Sequence, residues 1–314
     1  MDSTDLLPAI GDPAAPPAGP LPSAEVPPAR RTLPIAVLTM LGTGTSSQVG
    51  AALGAQAFPA IGPAGVVAIR QLVAAVVLVP MARPPLHRFT WRQWWPTLLL
   101  GLVFAVMNLS LYLAVDRIGL GLAVTLEVLG PLAVALGGSR TRLDALCAIA
   151  AGVGVVVLVL PGPTSDYLGV GFGLLAGACW AAYILLNRLV GTRLPGLQAP
   201  ATAAFISALG YLPVIVVLAV QGRITAAALM YACCAGLLSS VVPYALDVSL
   251  LRRVPAQFFG VFMSVNPVLA ALAGIVILGQ VLNLREWAGI GIVIGANALA
   301  TTAAARRHRP RSTD

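Results

Sequence analysis

Apolar residues run through this chain in blocks of about 20, separated by short connections that hold glycine, proline and arginine. At about 1.5 Å of helix rise per residue, such a block crosses the roughly 30 Å hydrocarbon core of a bilayer. The blocks fall at 33–55, 62–80, 95–115, 119–138, 145–161, 167–187, 200–221, 225–251, 257–281 and 286–305. Backbone groups cannot go unpaired in lipid, and runs this long and this apolar satisfy them as helices, not as barrel strands. The predicted fold class is an all-α integral membrane protein with ten transmembrane helices.

Composition agrees. Of 314 residues, 58% are hydrophobic and 10% charged, against about 25% charged in a soluble domain, and the mean hydropathy is +0.91. Residues 1–32 stand apart: they are acidic and proline-rich, with no basic start and no apolar core of a secretory signal. They read as a disordered cytoplasmic tail. Residues 306–314 form a short basic tail.

The charges add an orientation. All 19 basic residues are arginines. Fifteen of them lie in the tails and in the connections on the N-terminal side of the membrane, including Arg30, Arg83, Arg88, Arg92, Arg140, Arg188, Arg193 and Arg252. Arg117, Arg223 and Arg285 lie on the opposite side, and Arg70 lies within a span. The positive-inside rule then makes both termini cytoplasmic. The net charge of +8 is a topology signal, and arginines scattered among short loops do not form a nucleic-acid surface. Cys147, Cys179, Cys233 and Cys234 sit in spans, as small packing residues do. His87 and His308 have no cysteine or carboxylate cluster beside them, so no metal site is expected.

An internal repeat links the blocks. Residues 106–136 lie without a gap over 242–272, pairing Arg117 with Arg253, Pro131 with Pro267, and Ala135 and Leu136 with Ala271 and Leu272. This maps spans three and four onto spans eight and nine, as two five-helix halves at 33–161 and 167–305 require. Five is odd, so the second half enters from the opposite side. An inverted repeat of this kind surrounds a midplane site that can open to each side in turn.

The stretches "FPAIGPAGVVAIRQL", "MNLSLYL", "GLGLAVTLEVLGPLAVAL", "GACWAAYILLNR" and "VVPYALDVSLLRRVPAQFFGVFMSVNPVLAALAGIVILGQ" carry a family resemblance. The chain resembles the drug/metabolite transporter superfamily with its EamA-type repeats, and more closely the bacterial threonine/homoserine exporters within it. The resemblance implies a secondary transporter in the bacterial cytoplasmic (inner) membrane that exports small amino acids or related metabolites, with protons as the coupling ion. Members of that branch tend to carry glutamates where this chain has Asn266 and Gln280, and a lysine near Ala55. Those charges are absent here.

Depth singles out the candidate site. Glu127 and Arg70 each lie eight residues into an inward-running span, about 12 Å deep at 1.5 Å per residue. An ionisable group at the membrane centre costs at least about 2.5–3.5 kcal/mol, so it faces protein or water and has a partner. Two readings stay open. Arg70 and Glu127 form a structural pair, or Arg70 holds a substrate carboxylate while Glu127 holds an ammonium or a coupling proton. Asp247 is a further candidate acid, although it lies five residues before Arg252 near a helix end. Gln48, Asn108, Tyr112, Trp180, Tyr183, Tyr244 and Asn266 are polar or aromatic residues that could line the same cavity, with Trp180 and Tyr183 on one helical face as an aromatic wall.

Prolines four residues after Glu127 and four before Asp247 free backbone carbonyls and give flexible points. The glycine-rich runs in spans five, six and ten read as helix-packing faces. With no P-loop pattern and no catalytic set, neither ATP nor any other cofactor is expected, and the chain reads as a transporter, not an enzyme. The alternatives are export of other metabolites or drug-like cations, or a polytopic receptor or scaffold.

Overall fold

Helices run where the apolar blocks run in a computed structural model that describes residues 29–137, 141–159, 166–194, 196–250 and 264–307. The predicted N-terminal tail up to residue 28, residues 308–314 with His308, the 160–165 connection, Arg140, and 251–263 with Arg252 and Arg253 lie outside these residues. In chain order the helices are α1 (Ala29–Ala55), α2 (Phe58–Ala82), α3 (Trp91–Ile118), α4 (Leu120–Glu127), α5 (Leu129–Gly137) and α6 (Arg142–Val159). They continue as α7 (Tyr167–Gly191), α8 (Gln198–Val220), α9 (Ala226–Gly236), α10 (Val242–Leu250), α11 (Asn266–Leu278) and α12 (Leu284–Arg307). Six stretches are long and apolar enough to cross a membrane: α2, α3, α4 with α5, α7, α8, and Ala226–Leu246. The chain is an all-α membrane protein.

Polar residues fix where helices start. Thr90 and Gln93 form a capping box at α3, and Asp166 accepts from the Gly169 N–H at 2.8 Å to cap α7. Thr225 caps α9 through the Ala228 N–H, and Asn283 and Glu286 cap α12 reciprocally at 2.7 and 2.9 Å. Each of these satisfies amide groups that a helix start leaves without an internal acceptor. The first helix begins at Ala29, so residues 29–32, expected in the tail, are helical.

The fourth block departs from the single span expected of it. It breaks at Val128 into α4 and α5. The cause is Pro131, which has no N–H to give to the Glu127 carbonyl one turn back. The break is then packed tightly against α7. A Cβ built on Gly130 would lie 2.1 Å from the Gly177 carbonyl oxygen, so only glycine fits at that crossing. Between α3 and α4 the chain turns at Gly119, whose φ of 84° lies in the region glycine favours. The eighth block also departs from a plain helix, carrying a π-helical turn at Leu237–Val241 between α9 and α10. Such turns are rare and recur at functional sites. Around these two interruptions, α1 packs on α9, α10 and α11, α2 on α8 and α9, and α3 and α4 on α7.

Candidate functional site

The two interrupted segments and helices α1, α2, α3, α7 and α11 enclose a cavity of about 270 Å³. Two charged side chains face it. Arg70, on α2, and Glu127, the last residue of α4, are 6% and 8% exposed.

Arg70 is held by three contacts. Its Nε donates to Ser240 Oγ at 3.0 Å, its Nη2 donates to the Ser239 carbonyl at 3.1 Å, and its guanidinium lies 5.4 Å from the centre of the Tyr112 ring. Pro243 supplies the reason for the second bond, since it has no N–H to offer the Ser239 carbonyl four residues earlier. The π-turn is itself tied to α1: Ser239 Oγ donates to the Ser47 carbonyl at 2.6 Å, and Ser46 Oγ donates to the Leu238 carbonyl at 2.9 Å. Charge-assisted hydrogen bonds and a ring face thus fix the guanidinium without any carboxylate.

Glu127 is arranged differently. No ion pair within 4.0 Å joins it to Arg70, and its carboxylate has no hydrogen-bond donor among the described residues. The close Arg70–Glu127 pair, one of the two readings taken from depth alone, is not formed in this structure. Both charges instead present themselves to one space, the cation anchored and the anion open.

Of the other predicted residues, Gln48, Asn108, Trp180, Tyr244 and Asn266 line the cavity. Asn108 spends its amide N–H on the Phe104 carbonyl at 2.7 Å. Tyr112 does not line it, lying behind Arg70 in the core with 1% exposure and meeting Phe58 edge-on. Tyr183 does not line it either. Three helical residues turn through 300°, which leaves a 60° offset from Trp180, and that offset points Tyr183 at Phe104, 5.9 Å between ring centres. The aromatic wall is therefore formed by Trp180 with Tyr244. Asp247 lies on α10, and its side chain is outside the described residues.

Thr43, Ser47 and Ser239 also line the cavity, and Ser240 holds Arg70. Sequence reasoning missed all four. The signal was the pair of serine doublets, Ser46-Ser47 and Ser239-Ser240, each within an apolar block. Gln280, at a position where the exporter branch tends to carry an acid, accepts from the Leu120 N–H at 3.0 Å at the start of α4, outside the cavity.

With this geometry in view, similarity to known proteins is informative. The chain is 33% identical over 297 residues to the threonine/homoserine exporter RhtA of Salmonella typhimurium strain SL1344, covering 92% of this chain and 99% of that protein. The RhtA of Escherichia coli K12 matches at 33% over 288 residues, covering 90% and 96%. Residues 167–302 match the EamA-like transporter family. The chain belongs to that family. This EamA transporter is also similar to an uncharacterized Pseudomonas aeruginosa protein, 33% identical over 280 residues, 87% of this chain and 95% of the other. A solved crystal structure shares its fold with a TM-score of 0.56 at 17% identity, covering 88% of this chain and 99% of the other. The fold and the relatives together describe a multi-pass membrane transporter.

Proposed function

We propose that this EamA transporter exports threonine, homoserine or similar small amino acids across the bacterial cytoplasmic membrane in exchange for protons. The observation that carries the reading is the pair of unpaired opposite charges, Arg70 and Glu127, facing one small cavity. An α-amino acid is a zwitterion. Its carboxylate complements the planar guanidinium of Arg70, and its ammonium complements the open carboxylate of Glu127. A volume of about 270 Å³ lies below the range of about 300–1,000 Å³ typical of drug-sized pockets. Hydroxyl, amide and indole groups on the walls suit a short polar side chain. The relatives named as threonine/homoserine exporters match along nearly their whole length.

Exchange follows from one carboxylate serving two cations. Glu127 binds either the substrate ammonium or a proton, so a proton arriving from one side releases the amino acid and neutralises the acid for the return step. Access alternates through the proposed inverted repeat of five-helix halves, with both termini cytoplasmic. On the side that carries Arg117 and Arg223, the halves are joined by Gln56 Nε2 donating to the Ile277 carbonyl at 2.7 Å, Leu120 N–H to Gln280 at 3.0 Å, Arg117 to Asp166 at 3.0 Å and Arg223 to the Ala60 carbonyl at 2.9 Å. These ties support a conformation closed on the outer side.

The test is uptake of radiolabelled threonine and homoserine into inside-out vesicles with an imposed pH gradient. Accumulation that needs the gradient and vanishes in Glu127→Gln is the expected result. Accumulation of a lipophilic cation but of neither amino acid would overturn the substrate class. Amino-acid uptake indifferent to the gradient would overturn proton exchange alone.

A further inference from the structure

A second cavity, of about 590 Å³, lies at the arginine-rich membrane face, well apart from the central site. Its walls are Thr90, Arg92, Gln93, Trp95 and Arg193. The two guanidiniums come from different parts of the chain, one from the first turn of α3 and one from the connection between α7 and α8. They converge because Arg193 Nη1 donates to the Arg92 carbonyl and its guanidinium lies over the Trp95 ring, 5.7 Å from its centre. No carboxylate lies among the lining residues, and among the described residues neither arginine is in an ion pair. Two cations thus share a concave space with no anion of the protein's own.

What lies below this space decides the ligand. Trp91, Trp95, Leu98 and Leu102 follow one another at four-, three- and four-residue steps, so they form a single stripe along α3. All four are exposed, from 40% to 73%. Trp95 belongs to both features, joining the head of the stripe to the cation pair. Tryptophans at the head of a membrane helix mark the headgroup level, and leucines below them face acyl chains. A ligand that fills the whole feature has an anionic head and an apolar tail.

We infer that this is a binding site for one anionic phospholipid of the surrounding bilayer, whose phosphodiester lies between Arg92 and Arg193 and whose acyl chain follows the α3 stripe. Two guanidiniums contact a phosphate through paired N–H donors, and a basic pocket between helices at a charged leaflet is the recognised setting for such headgroups. Because the arginines come from α3 and from beyond α7, the lipid bridges segments on either side of the 160–165 connection.

The experiment is native mass spectrometry of the detergent-purified full chain titrated with phosphatidylglycerol, with phosphatidylcholine and with inorganic phosphate, together with thermal unfolding in each. Preferential retention of phosphatidylglycerol is expected. Arg92→Gln and Arg193→Gln should each weaken it about fivefold, leaving phosphatidylcholine binding unchanged, and Arg188→Gln, a nearby arginine outside the cavity, should have no effect. The single variants carry the test if the double variant does not fold. Equal phosphatidylglycerol retention in wild type and both single variants would overturn the proposal. So would stabilisation by inorganic phosphate as large as that by the lipid, which would make this a free-anion site.

Discussion

The separation of Arg70 from Glu127 makes a quantitative prediction through a double-mutant cycle of Arg70→Met and Glu127→Gln. A buried ion pair loses about 3–5 kcal/mol when either partner is removed alone, and most of that returns when both are removed. Two unit charges 4 Å apart attract by about 4 kcal/mol at an effective dielectric constant near 20, so a direct pair would show strong coupling. Here Arg70 bonds Ser239 and Ser240 instead. Arg70→Met gives up two hydrogen bonds to a charged group, about 1.5–3 kcal/mol each, partly offset because a buried charge no longer has to be desolvated. The net loss should be about 1–3 kcal/mol. Glu127→Gln gives up no described hydrogen bond or ion pair and should cost below about 1 kcal/mol. The coupling between them should then be under about 1 kcal/mol. Thermal unfolding of the purified variants measures these terms, and repeating it with threonine or homoserine adds the function. Ligand at a hundred times its dissociation constant stabilises wild type by about 2.7 kcal/mol, and none of the variants should show that shift. A coupling of 3–5 kcal/mol would refute the unpaired arrangement. An undiminished ligand shift in the double variant would refute both residues as a binding site.

Other consequences follow from particular contacts. Gly130→Ala places a methyl group against the Gly177 backbone and should cost at least the roughly 1–3 kcal/mol of an overpacked core, read as a lowered unfolding temperature and lost monodisperse protein. Asp166 is held below the usual carboxylate range, first by the Gly169 N–H and then by the Arg117 guanidinium. Its contribution is therefore present above the unfolded value of about 3.9 and lost as pH falls through the lower folded value. Asp166→Ala should flatten that acid limb of stability against pH, and an unchanged limb would count against the assignment. For topology, a reporter active only in the cytoplasm should work when fused after Arg307, while one active only outside should work in the 162–166 loop; the reverse pattern would overturn the orientation.

Much of the fold was legible because lipid leaves so few options. An apolar block of about 20 residues in a chain with so little charge has to be a helix, and the blocks match the described helices to within a few residues at most ends. The midplane charges were legible for the same reason, since depth follows from counting at a fixed rise per residue. Rotation about a helix axis was less so. Tyr112 and Tyr183 lie on spans that border the cavity yet turn away from it, because a few tens of degrees separate a lining position from a packed one. Proline marked the break after Glu127, but no local pattern distinguishes a π-turn at Leu237–Val241 from an ordinary helical turn. The serines that hold Arg70 are 170 residues away along the chain, a contact made by tertiary packing alone.

That long-range contact changes what the two charges can do. Arg70 is joined to the π-turn by two hydrogen bonds, and the π-turn is joined to α1 by two more. A Cβ on Gly50 would lie 2.4 Å from Ser239 Oγ, so α1 and the π-turn are also in close steric contact. Glu127 belongs to the other packed unit, since the backbone on either side of it meets α7 at Gly177. The cation and the anion are therefore fixed to different sets of helices and not to each other. Motion of one set against the other changes their separation, whereas a direct ion pair would resist it at a cost of several kcal/mol. A zwitterion that touches both ends favours one separation over others, and a ligand shifts a conformational equilibrium only through such a difference in contacts.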